Sequence, residues 1–171
     1  MTARSWDSYM DTLLIVLEQM LPETILEFGS GKSTGIMAMF HSVKNIYTYE
    51  HDQEYFAKFN RQAFSNLEMF FIPNQDEYAY SFRKDIRYDL IFVDGVNRAR
   101  CLKESQAYLS ENGVVILHDA QREEYGDAVK IYKYAIWTDM DNTVLLTDSE
   151  AAYKKLYAYL ADLKNTIGVR S

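Results

Sequence analysis

The fold is decided by the stretch Ile25-Leu26-Glu27-Phe28-Gly29-Ser30-Gly31-Lys32-Ser33-Thr34-Gly35, in which an apolar run passes directly into a glycine-rich turn. The run Ile25–Phe28 is typical of a short strand that is covered on both faces. Gly29 and Gly31 permit a tight turn and let a ligand approach the backbone. A helix capped near Ser30 or Ser33 is expected next, and its N-terminus favours negative ligand groups. The stretch therefore predicts a strand, a ligand-binding loop and a helix.

Further apolar runs repeat this unit along the chain. They begin at Ile46, Met69, Leu90 and Val114, so that successive starts lie 21, 23, 21 and 24 residues apart. Such gaps are long enough for the crossover helix that a pair of parallel strands requires. The C-terminal part of the chain departs from this interval. Two apolar stretches lie there, at 134–138 and 143–147, and their close spacing is typical of a hairpin. The pattern predicts an α/β fold with a doubly wound, seven-stranded, Rossmann-like sheet, mostly parallel with a C-terminal antiparallel hairpin, in a single domain over residues 1–171.

Composition narrows the class of function. The chain has 18 Lys and Arg against 25 Asp and Glu, a net charge of −7, which disfavours a broad basic face for nucleic acid. Cys101 is the single cysteine, so an intrachain disulfide and a cysteine-based zinc site are excluded. No apolar run approaches the roughly 18 residues of a membrane span, and no secretory leader is evident. We expect a cytoplasmic protein without nucleic-acid or membrane partners.

Two nucleotide-binding interpretations of the glycine loop compete. The segment from Gly31 to Thr34 imitates the end of a triphosphate-binding loop, but position 26, where that loop needs glycine, is leucine. Alternatively, the loop is a loose dinucleotide fingerprint with Glu50 as the following acidic residue. The Tyr80 and Lys84 pair has the spacing of a reductase dyad, yet it precedes the fourth strand and lies far from such a cofactor. An enzyme that uses ATP or NAD(P) remains an alternative.

A third interpretation rests on four segments in order, at 27–34, 49–52, 88–95 and 113–119. Together they resemble the class I S-adenosylmethionine (SAM)-dependent methyltransferases, and the resemblance spans nearly the whole chain. A carboxylate two positions before Gly29 suits a cationic sulfonium ligand, whereas it would repel a pyrophosphate. The segments after Asp94 and Asp119 are similar to those of small methyltransferases associated with polysaccharide and glycan synthesis. The resemblance implies O-methylation of a sugar, a glycan or another small hydroxylated acceptor, with SAM as cofactor; a non-catalytic methyltransferase-like interaction domain is a further alternative.

The resemblance also implies a set of cofactor-binding residues. Glu27 would hold the amino end of SAM, Glu50 both ribose hydroxyls, and His51 would cover the adenine. Each role has a purely structural alternative, such as a helix cap or a turn. The full set of candidate SAM-binding residues is Glu27, Gly29, Ser30, Gly31, Ser33, Glu50, His51, Gln75, Asp76 and Asp94.

The candidate catalytic residues are Asp94, His118 and Asp119, which follow the fourth and fifth strands. Transfer to a hydroxyl needs a base, and histidine titrates in the right range. These side chains also suit Mg²⁺ or Mn²⁺. Metal-dependent relatives carry a further acidic residue after the fourth strand, where this chain has Gly95-Val96-Asn97. A divalent metal is therefore possible but not favoured.

Overall fold

The computed structural model describes residues 9–60, 64–138 and 142–168. Within them, seven strands form one sheet in the order β3-β2-β1-β4-β5-β7-β6. The strands are β1 Thr24–Phe28, β2 Asn45–Glu50, β3 Leu67–Phe71, β4 Tyr88–Val93, β5 Leu109–Leu117, β6 Tyr134–Trp137 and β7 Val144–Thr147. The helices are α1 Met10–Met20, α2 Lys32–Met39, α3 Gln53–Phe59, α4 Gln75–Tyr78, α5 Arg98–Ser105, α6 Gly126–Val129 and α7 Glu150–Gly168, with short 3-10 turns at Gln106–Tyr108 and Glu123–Tyr125.

The sheet confirms the predicted topology. Strands β1 to β5 pair in parallel, while β7 pairs antiparallel with both β5 and β6. Strand β1 lies between β2 and β4, and Phe28 is in register with Tyr49 on one side and Val93 on the other. The order of the strands reverses at this point, where open α/β sheets bind their ligands. The register therefore brings the loops after β1, β2 and β4 to one crevice.

The core consists of two apolar layers, one on each face of the sheet. Leu26 and Phe28 of β1 contribute to one layer and Ile25 to the other, as strand alternation requires. The first layer is rich in tyrosine, and Tyr78 and Tyr88 in it have no solvent exposure. Their hydroxyls donate to the main-chain oxygens of Tyr49 and Arg83, which removes the cost of burying them. Burial on both faces explains the uninterrupted apolar runs of the sequence.

The start of α2 differs from the sequence-based expectation. Gly31, rather than Ser30 or Ser33, occupies the position before the helix. Its main-chain nitrogen donates to Thr34 Oγ1 at 2.9 Å, so one half of a capping box is present without a capping side chain. The two serine hydroxyls donate instead to carboxylates at the ends of β1 and β2. The reason for the difference is that these acidic side chains compete for the same hydroxyls.

None of the helices within the described ranges combines the length and the apolar character needed to cross a lipid bilayer.

Candidate functional site

The loops after β1 and β4 touch each other through their glycines. Gly29 has a φ of 96°, a conformation that favours glycine. A Cβ atom on Gly29 would lie 2.6 Å from the main-chain nitrogen of Gly95, and one on Gly95 would clash with the Tyr78 hydroxyl. Asp94 N donates to Phe28 O at 2.9 Å beside this contact. Packing of the protein itself therefore accounts for both glycines.

Gly31 has no such explanation within the protein. Its φ of −174° is extended backbone that any residue adopts. A Cβ atom there would meet only Ser33 Oγ at 3.8 Å and the Tyr9 hydroxyl at 3.9 Å, which are ordinary contacts. The main chain at Gly31 therefore faces space that a ligand could fill.

Glu27 lies beneath this loop with no solvent exposure. Its Oε1 accepts from Ser33 Oγ at 2.6 Å, and its Oε2 accepts from the hydroxyls of Thr34 and Thr48, both at 2.7 Å. Burial raises the pKa of Glu27 to about 7, although these three hydrogen bonds oppose the rise. The carboxylate thus ties α2 to β1 and β2. Sequence reasoning missed Thr48, although a hydroxyl inside an apolar run was an available signal.

Glu50 holds the other side of the glycine loop through hydrogen bonds, and it is only 3% exposed. Its Oε2 accepts from the nitrogen and the hydroxyl of Ser30, both at 2.7 Å, and its Oε1 accepts from the nitrogens of His51 and Asp52. This burial excludes an interpretation of Glu50 as a solvated surface charge. The His51 ring packs edge-on against Tyr78 at 5.9 Å, and its buried Nδ1 lies near Glu50 without hydrogen-bond geometry.

Gln75 and Asp76 begin α4 and are exposed. The main-chain oxygen of Gln75 accepts from Asn97 Nδ2, which joins the loop after β3 to the loop after β4. A groove of about 900 Å³ opens between these loops and continues along α5. Its lining is mainly polar or charged and consists of Gln75, Asp76, Gly95, Val96, Asn97, Arg98, Ala99, Arg100, Lys103, Glu104, Arg122, Glu124 and Tyr125.

Asp94, His118 and Asp119, the three candidate catalytic residues, come together at the ends of β4 and β5. His118 Nδ1 lies 2.9 Å from Asp94 Oδ1, and His118 Nε2 lies 3.8 Å from Asp119 Oδ1. The ring of Tyr9 packs edge-on against the His118 ring at 4.9 Å. Asp119 has a φ of 54°, which turns the chain sharply after β5. A histidine oriented by one carboxylate and flanked by another is suited to accept a proton.

Arg98 also belongs to this cluster. Its side chain is 11% exposed and lies 3.0 Å from Asp94 Oδ1 and 3.5 Å from Asp119 Oδ2. Arg98 follows Asp94 by four residues, which is the spacing at which side chains meet on a helix. Because Asp94 lies outside α5, that spacing did not predict the contact. Across residues 9–60, 64–138 and 142–168, no three His, Cys, Asp or Glu side chains are arranged to hold a metal ion.

The sequence matches no protein-family model and no curated protein. Solved structures share its fold at low identity. A putative O-methyltransferase from Klebsiella pneumoniae superposes with a TM-score of 0.65 at 15% identity over 87% of this chain and 84% of that one. Human methyltransferase-like protein 13, in complex with SAH, gives 0.63 at 15% over 96% and 92%. Spermidine synthase from Thermotoga maritima gives 0.59 at 16% over 88% and 62%. A likeness at such low identity shows the fold alone. The chain has the Rossmann-like fold that these structures share.

Proposed function

We propose that the chain is a SAM-dependent methyltransferase that acts on a hydroxyl group of a sugar, a glycan or a similar small acceptor. The observation that carries the proposal is the group of carboxylates around the glycine loop. Glu50 ends β2, Glu27 is the last residue but one of β1, and Asp94 follows β4. Burial raises the pKa of Tyr78 well above its ordinary value, and the nearby Glu50, Glu27 and Asp94 act in the same direction. Carboxylates around the crevice favour a cationic sulfonium ligand over a pyrophosphate, although Glu27, whose pKa burial raises to about 7, contributes only part of a charge near neutral pH.

The residues at the strand ends fit SAM. The main chain at Gly31 leaves space for a ligand, and Glu50 presents a carboxylate at the end of β2. A ribose hydroxyl could replace the hydrogen bond that the Ser30 hydroxyl now donates to Glu50, because that hydroxyl can rotate away. Glu27 would act from below the loop through the hydroxyls of Ser33 and Thr34, rather than by touching the ligand. When bound, SAM supplies an activated methyl group.

The chain's own residues would bind the acceptor and remove its proton. Asp94 orients the His118 ring through Nδ1, which directs proton acceptance to Nε2. Asp119 is close enough to stabilise the imidazolium that forms. A base at this position assists in-line displacement by making the hydroxyl oxygen more nucleophilic as the new bond forms. Orientation of the two reactants supplies much of the remaining rate.

The groove favours a hydroxylated acceptor. Ligand pockets are usually lined by apolar and aromatic side chains. In this groove, by contrast, amides such as Gln75 and Asn97 occur together with cations such as Lys103 and carboxylates such as Glu124. Mixed donors and acceptors match the many hydroxyls of a sugar, each of which both donates and accepts.

We expect Gly31→Ala to weaken SAM binding while the fold stays intact. The added methyl group has room within the protein but would enter the ligand's space. Overpacking by one methyl group costs about 1–3 kcal/mol, or about 5- to 150-fold in affinity. Calorimetry with SAM and S-adenosylhomocysteine, next to NAD, NADP and ATP, measures this loss. The matched control is Gly29→Ala, which should lower the melting temperature instead; parent-like SAM affinity in Gly31→Ala would remove the loop from the site.

The substitution Lys32→Ala distinguishes a SAM site from a site that binds ATP. In a triphosphate-binding loop the equivalent lysine contacts the phosphates, so its loss is severe. We expect the variant to keep parent-like SAM affinity, because the proposed site does not use an ammonium group. Saturable ATP binding by the parent that disappears in Lys32→Ala would overturn the methyltransferase proposal.

A further inference from the structure

The guanidinium group of Arg98 joins the ends of two strands. Arg98 is the first residue of α5, and its Nε donates to the main-chain oxygen of Gly95 at 2.9 Å. Its Nη2 donates to the main-chain oxygen of Asp94 at 2.8 Å, and its Nη1 donates to that of His118 at 2.6 Å. All three nitrogens are thus engaged with main-chain oxygens at the ends of β4 and β5. The planar geometry of arginine makes such simultaneous contacts possible.

The guanidinium group of Arg98 also contacts the side chain of Asp94. Arg98 Nη2 lies 3.0 Å from Asp94 Oδ1, the oxygen that also lies 2.9 Å from His118 Nδ1. Arg98 and His118 therefore contact the same oxygen of the Asp94 carboxylate. Charge-assisted contacts of this kind are strong when they are shielded from water. Without the arginine, the Asp94 carboxylate would lose a counter-charge and a fixed orientation.

We propose that Arg98 is a positioning residue, which holds Asp94 and thereby fixes the tautomer and orientation of His118. The catalytic meaning of this role rests on the proposed function, while the structural role does not. Arg122 offers a comparison. Its Nη2 lies 3.1 Å from Asp119 Oδ2 with half of the side chain exposed, and within the described residues it makes no hydrogen bond or ion pair to Asp94 or His118.

Nitrogen NMR of the histidine side chains tests the proposal in the full chain without substrate. At mildly alkaline pH, the parent should show His118 as the Nδ1–H tautomer, with its signals assigned by their loss in His118→Asn. Arg98→Met should shift His118 towards the Nε2–H tautomer, whereas Arg122→Met should match the parent. Arg98→Lys, which keeps the charge but loses the planar fork, should fall between the parent and Arg98→Met.

A parent-like tautomer in both Arg98→Met and Arg98→Lys would overturn the proposal. If Arg98→Met does not fold, Arg98→Lys decides alone, and a parent-like signal there has the same meaning. Where methyl transfer is measurable, turnover should fall by up to about 10²-fold with little change in the KM for SAM. Failure of the parent to bind SAM would defeat the proposed function but leave the tautomer comparison valid. SAM binding with unchanged tautomers would defeat the inference on Arg98 alone.

Discussion

Replacement of His118 by alanine is expected to lower the rate of methyl transfer by roughly 10²–10⁴-fold, the usual cost of losing a general base. SAM affinity should stay near the parent value, because in the proposed mechanism the imidazole accepts the proton of the acceptor hydroxyl and does not hold SAM. Release of S-adenosylhomocysteine in the presence of glycan acceptors with free hydroxyls measures the rate, and calorimetry measures the affinity.

The exposed His41 provides the control for this substitution, since His41→Ala removes an imidazole outside the site. Asp94→Ala should be damaging as well, because it removes the group that orients His118. If a metal organises the site instead, a chelator should abolish activity, and Asp94→Ala and Asp119→Ala should be at least as damaging as the histidine change. Full activity in both His118→Ala and Asp94→Ala would mean that the chemistry takes place on other residues.

Glu27 should make the stability of the protein depend on pH. Burial raises the pKa of Glu27 to about 7 from an ordinary value of 4.5, so the folded state holds this proton more tightly than the unfolded chain does. The contribution of Glu27 to stability is therefore fully present below pH 4.5 and is lost as the pH rises through about 7. At 1.36 kcal/mol per pH unit, the loss is about 3 kcal/mol.

Urea unfolding of the parent and of Glu27→Gln across this pH range isolates the effect, because the other carboxylates titrate in both proteins. Glutamine keeps the shape of the side chain, and the hydroxyls of Ser33, Thr34 and Thr48 can rotate to meet its amide. The free energy of unfolding of the parent should fall relative to that of the variant as the pH rises. Parallel curves would show that folding does not raise the pKa of Glu27.

Most of the fold could be predicted from the sequence because it depends on local patterns. Apolar runs such as Leu90–Val93 recur at intervals that fit a strand and a crossover helix, and the parallel sheet follows from them. Asp94 and His118 could be assigned to one candidate site from the sequence, because parallel strands place their C-terminal ends along one edge. The parallel pairing of β4 with β5 accounts for the proximity of these groups.

The contacts of individual side chains could not be predicted in the same way. The hydrogen bond from Thr48 to Glu27 depends on the register between β1 and β2, which is settled only when the whole sheet forms. Arg98 joins the ends of β4 and β5 because Asn97 adopts a left-handed conformation that begins α5 at this point. No short pattern in the sequence encodes that turn. The cap of α2 was misjudged because Ser30 and Ser33 have acidic partners that are distant along the chain or buried.

The backbone contact between Gly29 and Gly95 restricts which substitutions the two loops can accept. Where two loops touch through side chains, a larger residue in one loop can be compensated by a smaller residue in the other. Here each position already carries the smallest residue, and the opposing atoms belong to the main chain or to a buried tyrosine. A mutation at either glycine therefore has no compensating partner in the opposite loop. Substitutions at groove positions such as Arg100 and Lys103, by contrast, should leave the contact between the two loops unchanged.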